Sequence, residues 1–456
     1  MNLDPNKNKE IAIWFSIVIV VSIVLRVLFL SVSTFATEND TVGYIKLAEQ
    51  IVQHDLSQDN GLRTPGYPLF LILFGIKPAI VRLAQMGLGI LITAMLFIIA
   101  WQLTHNIFLS AFVGASYGCN ITMISWENLI LTETLTTFCV VLSIVIFIFL
   151  LYQIEKHQSI SSWLILEGVI SAFTSIVRPT FLFLPVLFAV IIFFKLWKEK
   201  YKNFFLSTVL FLLPFIVAIG GWSTFNYIRF GYWGPSTITG YSLTDHSVKL
   251  IQYAPDQFAV IRDSYLDVEQ HLQPSDDPLH VWSGDAITQI QMKTGWTFPQ
   301  LSRELTKMAI YLFINHPFLY AKNVFFAWIP FWDAKAPWIS QKIILNQALQ
   351  NYILRIFYIW KRLEHYGTVV LFSIPFFITL VGMLMQFLFR KKILLISLPI
   401  LMMCSVIFIT SLLQAMTEYG DSMRYALPVR GLVICVVVSE AWWIRGQINL
   451  LEKHPR

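Results

Sequence analysis

The sequence predicts an all-α protein that crosses a membrane about ten to twelve times. Two observations carry that expectation: apolar runs of bilayer length and a scarcity of charge. Of 456 residues, 56% are hydrophobic and 13% charged, against about 25% charged in a soluble domain. Such a chain has too little polar surface to face water on all sides, so lipid is expected to cover much of it.

The apolar runs fall near 11–34, 82–103, 107–125, 129–152, 163–178, 181–196, 204–221, 367–389, 393–414 and 426–444. Each approaches the ~20 residues that carry a helix across the hydrocarbon core. The first run is too long for a signal-peptide core, lacks a small-residue cleavage site and precedes further spans, so it is expected to be retained. The four cysteines, Cys119, Cys139, Cys404 and Cys435, lie in these runs and imply neither a disulfide framework nor a cysteine metal site.

Threading ten spans puts "NKNK" near the start, "KLWKEKYK" from Lys195 to Lys202, "RKK" from Arg390 to Lys392, and Arg445, Lys453 and Arg456 on one side. The positive-inside rule makes that side the cytoplasm. Both termini are then expected there, in a plasma (inner) membrane. The net charge of +6 follows these connections and gives no reason to expect nucleic acid as a partner. Facing outward would be the first loop (36–81), the turn near Trp126, the Arg178-Pro179 junction, a long segment over 222–366, and the 414–425 loop. No internal repeat or low-complexity segment interrupts this order. The expected division is a membrane module over 1–221, an extracytoplasmic segment over 222–366, and C-terminal membrane helices over 367–456.

In the first loop, Tyr44, Ile45, Leu47, Ala48, Ile51 and Val52 keep helical spacing while Lys46, Glu49 and Gln50 fall on another face. That pattern predicts a short amphipathic helix capped by Asn39 or Asp40. "RTPGYPLFLILFG" then turns back towards the bilayer through Pro65, Gly66 and Pro68. Within the long segment, "FNYIRFGYWGPSTITGYS" reads as strand or loop from its Gly, Ser, Thr and aromatic content. "QLSRELTKMAIYLFINHPFLYAKNVFFAWI" reads as helices lying along the membrane.

Charged residues collect at the outer ends of the spans: Glu38 and Asp40, Arg63, Glu127 and Glu133, Arg178, and Glu418, Asp421 and Arg424. Charge at a membrane boundary is costly and often functional, and together these residues suggest one outward pocket of acids and bases. Each has a plainer structural reading. Asp40 can cap a helix, Glu38 can be a solvated loop acid, Glu133 can pack as a buried polar group, and Arg178 can snorkel to headgroups. Arg424 can pair with Asp421 or Glu418, and Arg63 can stabilise the Pro-Gly turn. His246, His271, His280 and His316 show no metal spacing and read as surface residues.

The motifs resemble a known family. Asp40 four residues before Tyr44 in "DTVGYIKLAEQI", followed by "RTPGYPLFLILFG", is similar to the first loop of the GT-C superfamily of polyprenyl-phosphate-sugar-dependent glycosyltransferases. The closest branch in pattern contains the protein O-mannosyltransferases and the bacterial aminoarabinose transferase of lipid A. "LILTETLTTFCVVL" resembles the family's second-loop acid, with Glu133 at that position. "SIVRPTFLFLPVLF" resembles its Arg-Pro junction, "WSTFNYIRFGYW" the opening of its long outer segment, and "DSMRYALPV" its final Arg-Tyr and Pro motif. One departure stands out: many relatives carry adjacent Asp-Glu acids, whereas Thr41 follows Asp40 here and the second acid is Glu38.

The resemblance implies a GT-C fold and a monomeric enzyme. It would move one sugar from a polyprenyl-phosphate carrier to an acceptor hydroxyl or amine on the extracytoplasmic face, with inversion. The acceptor could be lipid, glycan or protein. Asp40 would be the general base, with Glu38 and Glu133 supporting it; the altered acid pair leaves open whether Glu38 takes that task. Carboxylate oxygens suit Mg²⁺ or Mn²⁺, which makes Asp40 and Glu133 candidates for a divalent cation. Arg178, Arg424 and Arg63 would receive the lipid phosphate, since a guanidinium fork matches phosphate oxygens. Tyr44, Tyr67, Asn226 and Tyr425 would line the substrate pocket.

Two other readings compete. An O-antigen-ligase-type transferase would rely on arginines and a histidine in the long segment, which offers only Arg229, Arg262 and Arg303 before its final helices. A transporter or flippase would place polar residues near the bilayer midplane between related halves.

Overall fold

A computed structural model describes residues 5–271, 285–333, 347–389, 397–419 and 422–453. Asp421, His280 and the Arg390 to Lys392 cluster lie outside them. The described residues form helices and connecting turns, without a strand. In chain order these are α1 (Pro5–Val32), α2 (Asn39–Val52), α3 (Gly66–Leu73), α4 (Pro78–Thr104), α5 (Ile107–Gly118), α6 (Ile121–Glu127), α7 (Glu133–Glu155), α8 (Ser161–Val177), α9 (Phe183–Lys198) and α10 (Phe204–Phe230). Then follow α11 (Thr239–Ser247), α12 (Ala259–His271), α13 (Asp285–Thr294), α14 (Phe298–Asn315), α15 (Pro317–Trp328), α16 (Gln347–Gly367), α17 (Ile374–Phe389), α18 (Leu398–Thr417), α19 (Ser422–Tyr425) and α20 (Leu427–Lys453).

Among the described residues, eight helical stretches are long and apolar enough to cross a membrane: α1, α4, α7, α9 with its leading turn, α10, the run from α16 into α17, α18 and α20. The pair α5 and α6, bent by 49°, makes a ninth if it is one span, and α8 is a shorter apolar helix. The chain is therefore an all-α, multi-pass membrane protein. Its outermost faces agree: Ile13, Val20, Val27 and Leu28 of α1 are exposed, as lipid contact requires.

Helices α3, α4, α7, α9, α18 and α20 share the main apolar core, which covers the inner faces of the spans. A second, separate core joins α11, α12, α13 and α14 through Tyr241, Ile261, Ile290, Leu301, Leu305 and Met308. The helical reading of 300–329 is thus met, but α14 buries its apolar stripe in this outer core. Helix α15 exposes Phe318, Phe325 and Phe326, and the last turns of α14 expose Ile310 and Ile314, as interfacial helices do.

The strand-or-loop reading of 225–242 is corrected. Helix α10 continues to Phe230, a turn follows, and α11 begins at Thr239. A span already nucleated propagates one hydrogen bond per residue, so the aromatic content of 225–230 does not break it. Gly231 does, at φ +63°, where a side chain would be strained. The long segment begins and ends inside helices, since α16 also runs through a π-helical turn (Thr368–Ser373) directly into α17.

Helix α2 forms as expected, but its cap is Glu38, one residue before Asn39 and two before Asp40, with Thr41 Oγ1 accepting from the Glu38 N–H at 3.0 Å. His246 is also corrected: it is fully buried between the α11 region and the end of α18, with its ring edge-on to Tyr320 and Tyr419. His271 is exposed as expected, while His316 is half-buried against Tyr253.

Candidate functional site

The site begins with a short backbone tie. Ala36 N–H donates to the Asn128 carbonyl and Ile130 N–H donates to the Ala36 carbonyl, both at 3.2 Å. Thr41 Oγ1 donates to the Ile130 carbonyl at 3.0 Å. The first turn of α2 is thereby fastened beside the start of α7. Asp40 lies in that turn of α2 and Glu133 is the first residue of α7, so two acids 93 positions apart share one mouth of the bundle.

Three arginines converge on them. Arg63 Nη2 donates to Asp40 Oδ1 at 2.6 Å, and Arg424 Nη1 donates to Asp40 Oδ2 at 2.9 Å. Arg424 also donates from Nε to Glu133 Oε1, so one guanidinium joins both carboxylates. Arg178 Nη1 reaches the same Glu133 oxygen at 3.5 Å. Glu133 is 1% exposed and Asp40 33%, so the network runs from a dry end to an open one.

Aromatic rings hold two of the cations. Arg63 lies over the Tyr44 ring at 4.7 Å, and Arg178 over the Tyr425 ring at 4.2 Å, in the range of cation–π attraction. Helix α8 ends at Arg178 because Pro179 follows it; proline disfavours helical geometry at the residue before it, which turns the arginine out of the helix. Burial opposes ionisation of Asp40, but the charges and hydrogen bonds of Arg63 and Arg424 outweigh it and hold the carboxyl below its ordinary value. Behind Tyr425, Gln414 Nε2 donates to Glu418 Oε2 at 3.0 Å. Burial raises the Glu418 carboxyl, against the pull of Tyr425, Arg178 and Arg424.

The expected residues thus separate into three groups. Asp40, Glu133, Arg63, Arg178, Arg424, Tyr44 and Tyr425 form one connected network. Tyr67 touches it only by the edge of its ring on Tyr44, at 5.1 Å; its hydroxyl donates to Gln85 Oε1 at 2.7 Å, and Gln85 holds the Glu127 and Leu129 carbonyls. Asn226 is further removed and fixes the turn after α10 by donating to the Gly234 carbonyl at 2.8 Å. That turn then grips the strand of chain leading to Arg63, through Ser236 to Leu62 and Thr237 to Asn60 and Gly61.

Glu38 stands apart. It is exposed at the start of α2 and pairs with none of the three arginines, so the network contains Asp40 alone from that pair of acids. Glu127 also leaves the group expected of it. Its carboxylate is buried and held by Arg26 of α1, Nε to Oε2 at 2.7 Å and Nη2 to Oε1 at 2.5 Å. Sequence reasoning overlooked Arg26, although a lone arginine inside an apolar run is the sign of a buried partner. It also overlooked Glu167 of α8, which accepts from Ser143 of α7.

A divalent cation does not fit between Asp40 and Glu133 as they stand, because the Arg424 guanidinium fills that position. Among the described residues no group of three or more His, Cys, Asp or Glu side chains could hold a metal. What the arrangement offers is anion recognition beside a carboxylate. The five charged groups in contact comprise three guanidinium cations and two carboxylates, one positive charge in excess. Arg63 Nε is buried without a hydrogen-bond acceptor, Arg178 Nη1 has only its 3.5 Å ion-pair contact with Glu133 Oε1, and Glu133 Oε2 is buried without a donor. No protein-family model matches the chain, and no curated protein matches it.

Proposed function

We propose that the chain is an inverting glycosyltransferase of GT-C type that takes a sugar from a polyprenyl-phosphate carrier on the extracytoplasmic side. The observation that carries the reading is the surplus of guanidinium over carboxylate among the groups in direct ion-pair contact at a half-open mouth, where Arg63 Nε lacks an acceptor. A phosphate brings the missing charge and an acceptor. The order of the sequence motifs supports the same reading, and a membrane-embedded body suits a donor that cannot leave the bilayer.

In this reading Arg63, Arg178 and Arg424 bind the donor phosphate, and Asp40 receives the proton of the acceptor. The acceptor oxygen or nitrogen forms its bond to the anomeric carbon as the bond from that carbon to the phosphate oxygen breaks. The electron pair goes to the phosphate, where the guanidinium groups stabilise it, and the acceptor proton goes to Asp40. One carboxylate suffices, because a single displacement needs no second acid to activate water. Asp40 paired with two arginines is a weak base. Phosphate arriving on Arg63 and Arg424 would draw them from Asp40 and restore its basicity, so donor binding prepares the base.

The test uses purified protein in lipid nanodiscs with a panel of radiolabelled polyprenyl-phosphate sugars. Wild-type protein is expected to consume one of them, and Asp40→Asn to lose roughly 10²–10⁴-fold in transfer, the usual contribution of a general base. Unchanged transfer by Asp40→Asn would remove Asp40 from the reaction. Consumption of no such donor would overturn the reading as a whole.

A further inference from the structure

Among the described residues four arginines are buried: Arg26, Arg82, Arg178 and Arg430. Three of them pair with a carboxylate, that of Glu127, Glu133 and Glu364 respectively. Arg82 pairs with none. It lies in the second turn of α4, where that helix passes the end of α1, and its Nη2 donates to Ser33 Oγ at 2.8 Å. The Ser33 hydroxyl donates in turn to the Phe29 carbonyl at 2.7 Å, so it is fixed as an acceptor and brings no charge. Arg82 Nε is buried without an acceptor; Nη1 also has none but is not enclosed, so the guanidinium keeps one edge open to its surroundings.

A cation only 8% exposed and without a counter-charge is costly. The surroundings of Arg82 show where a counter-charge can come from. It stands at the membrane boundary on the side of the first loop, where one span ends and the next begins. On the outer faces of these two helices, Val27 and Leu28 of α1 and Ile80 and Leu83 of α4 are exposed, as side chains that meet lipid are. Lys77, exposed at the start of α4, adds a second cation nearer the water. A lipid at that level places its phosphate at the height of the helix ends and its chains along the apolar faces below.

We propose that Arg82 binds the phosphodiester of a glycerophospholipid in the leaflet on the first-loop side, with a phosphate oxygen accepting from Nη1 and the acyl chains lying along α1 and α4. One guanidinium matches the single charge of a phosphodiester, whereas a phosphomonoester brings most of a second charge with no partner. A neutral glycolipid would leave the cation uncompensated. The site shares no residue with the mouth at Asp40 and does not depend on the transferase reading. Ala36, three residues beyond Ser33, makes the backbone tie to Asn128 and Ile130, so the bound lipid braces the joint from which α2 departs.

The experiment uses the full chain in a neutral detergent and a phosphatidylglycerol that carries a diazirine beside one ester. Photolysis is expected to place adducts within residues 24–35 and 77–87. Unlabelled phosphatidylglycerol should compete, while a glucosyl diacylglycerol with the same chains should need at least about tenfold more, the worth of a hydrogen bond to a charged group. Millimolar inorganic phosphate should not compete, because it brings no chains. Arg82→Gln should lower the labelling about tenfold or more, and Arg63→Gln, at the mouth, should leave it unchanged. Equal competition by the glucosyl lipid would overturn the proposal, as would displacement by free phosphate, which would make this a site for a soluble anion. Full labelling of Arg82→Gln, or its loss in Arg63→Gln, would overturn it too. Both competitions use the unaltered protein, so they decide the matter even if a variant folds poorly.

Discussion

Arg424 is the residue on which the candidate site closes, because its Nε and Nη1 serve Glu133 and Asp40 respectively. Arg424→Met should lower donor turnover by roughly 10²-fold or more and lower Tm, since the nearly inaccessible Glu133 keeps only the 3.5 Å contact with Arg178. Arg424→Lys should recover little, because an ammonium point charge cannot hold two carboxylates along two edges. A lysine variant with full turnover in the radiolabelled-donor assay would mean that charge alone matters there. His246 permits a pH prediction of known sign. Burial, reinforced by Lys249, holds its imidazole down to about 4, against an ordinary value of 6.5. Between those values the unfolded chain binds the extra proton and the folded chain does not, so stability rises with pH. Tm should be highest above pH 6.5 and fall as pH drops towards 4, and His246→Gln should flatten that slope. Most members of the site were legible as single residues, because charge beside a bilayer needs a reason. Their pairing was not: Arg424 meets residues 291 and 384 positions away. For the same reason the burial of His246 against α18, more than 160 positions along the chain, left no trace in local sequence.

At the scale of elements, the arginines depend on how closely helices approach. A Cβ at Gly66 would sit 2.6 Å from the Val177 backbone nitrogen, so the start of α3 lies directly on the end of α8. Arg63 precedes one of these elements and Arg178 ends the other. Gly66→Ala must push them apart, and donor turnover is expected to fall more than Tm, because the main core elsewhere is untouched; an unaltered KM and kcat would show that this contact does not position the arginines. Thr41→Val removes the hydroxyl that accepts from Glu38 N–H and donates to the Ile130 carbonyl. It should cost about 1 kcal/mol of stability, the usual worth of a cap, measured by denaturant unfolding in detergent. Periodicity identified α2 and the spans well, since an apolar stripe or run is a local property. It failed over 225–230 because helix termination there waits for Gly231, while aromatic residues in the final turn imitate a strand.

For the whole molecule, the orientation we propose follows from the distribution of lysine and arginine and can be measured directly. In a background with Cys119, Cys139, Cys404 and Cys435 replaced, Ser57→Cys in the first loop should react with a membrane-impermeant maleimide in intact cells. Lys198→Cys at the end of α9 should react only after permeabilisation. The reverse pattern would place Asp40 in the cytoplasm and remove a lipid-linked donor presented outside. The fold class was readable because bilayer thickness sets one length for every span, whereas the outer core of α11–α14 was hidden, since amphipathic helices can be satisfied by lipid or by each other. The junction of α2, α7 and α19 also has a consequence for biosynthesis. Asp40 and Glu133 leave the ribosome hundreds of residues before Arg424, so a growing chain carries an incompletely neutralised acid at the head of α7 until α18 and the turn after it are made. Membrane insertion of the early spans and completion of the site are therefore separate events in time, and a chain interrupted before residue 424 leaves the buried Glu133 without Arg424.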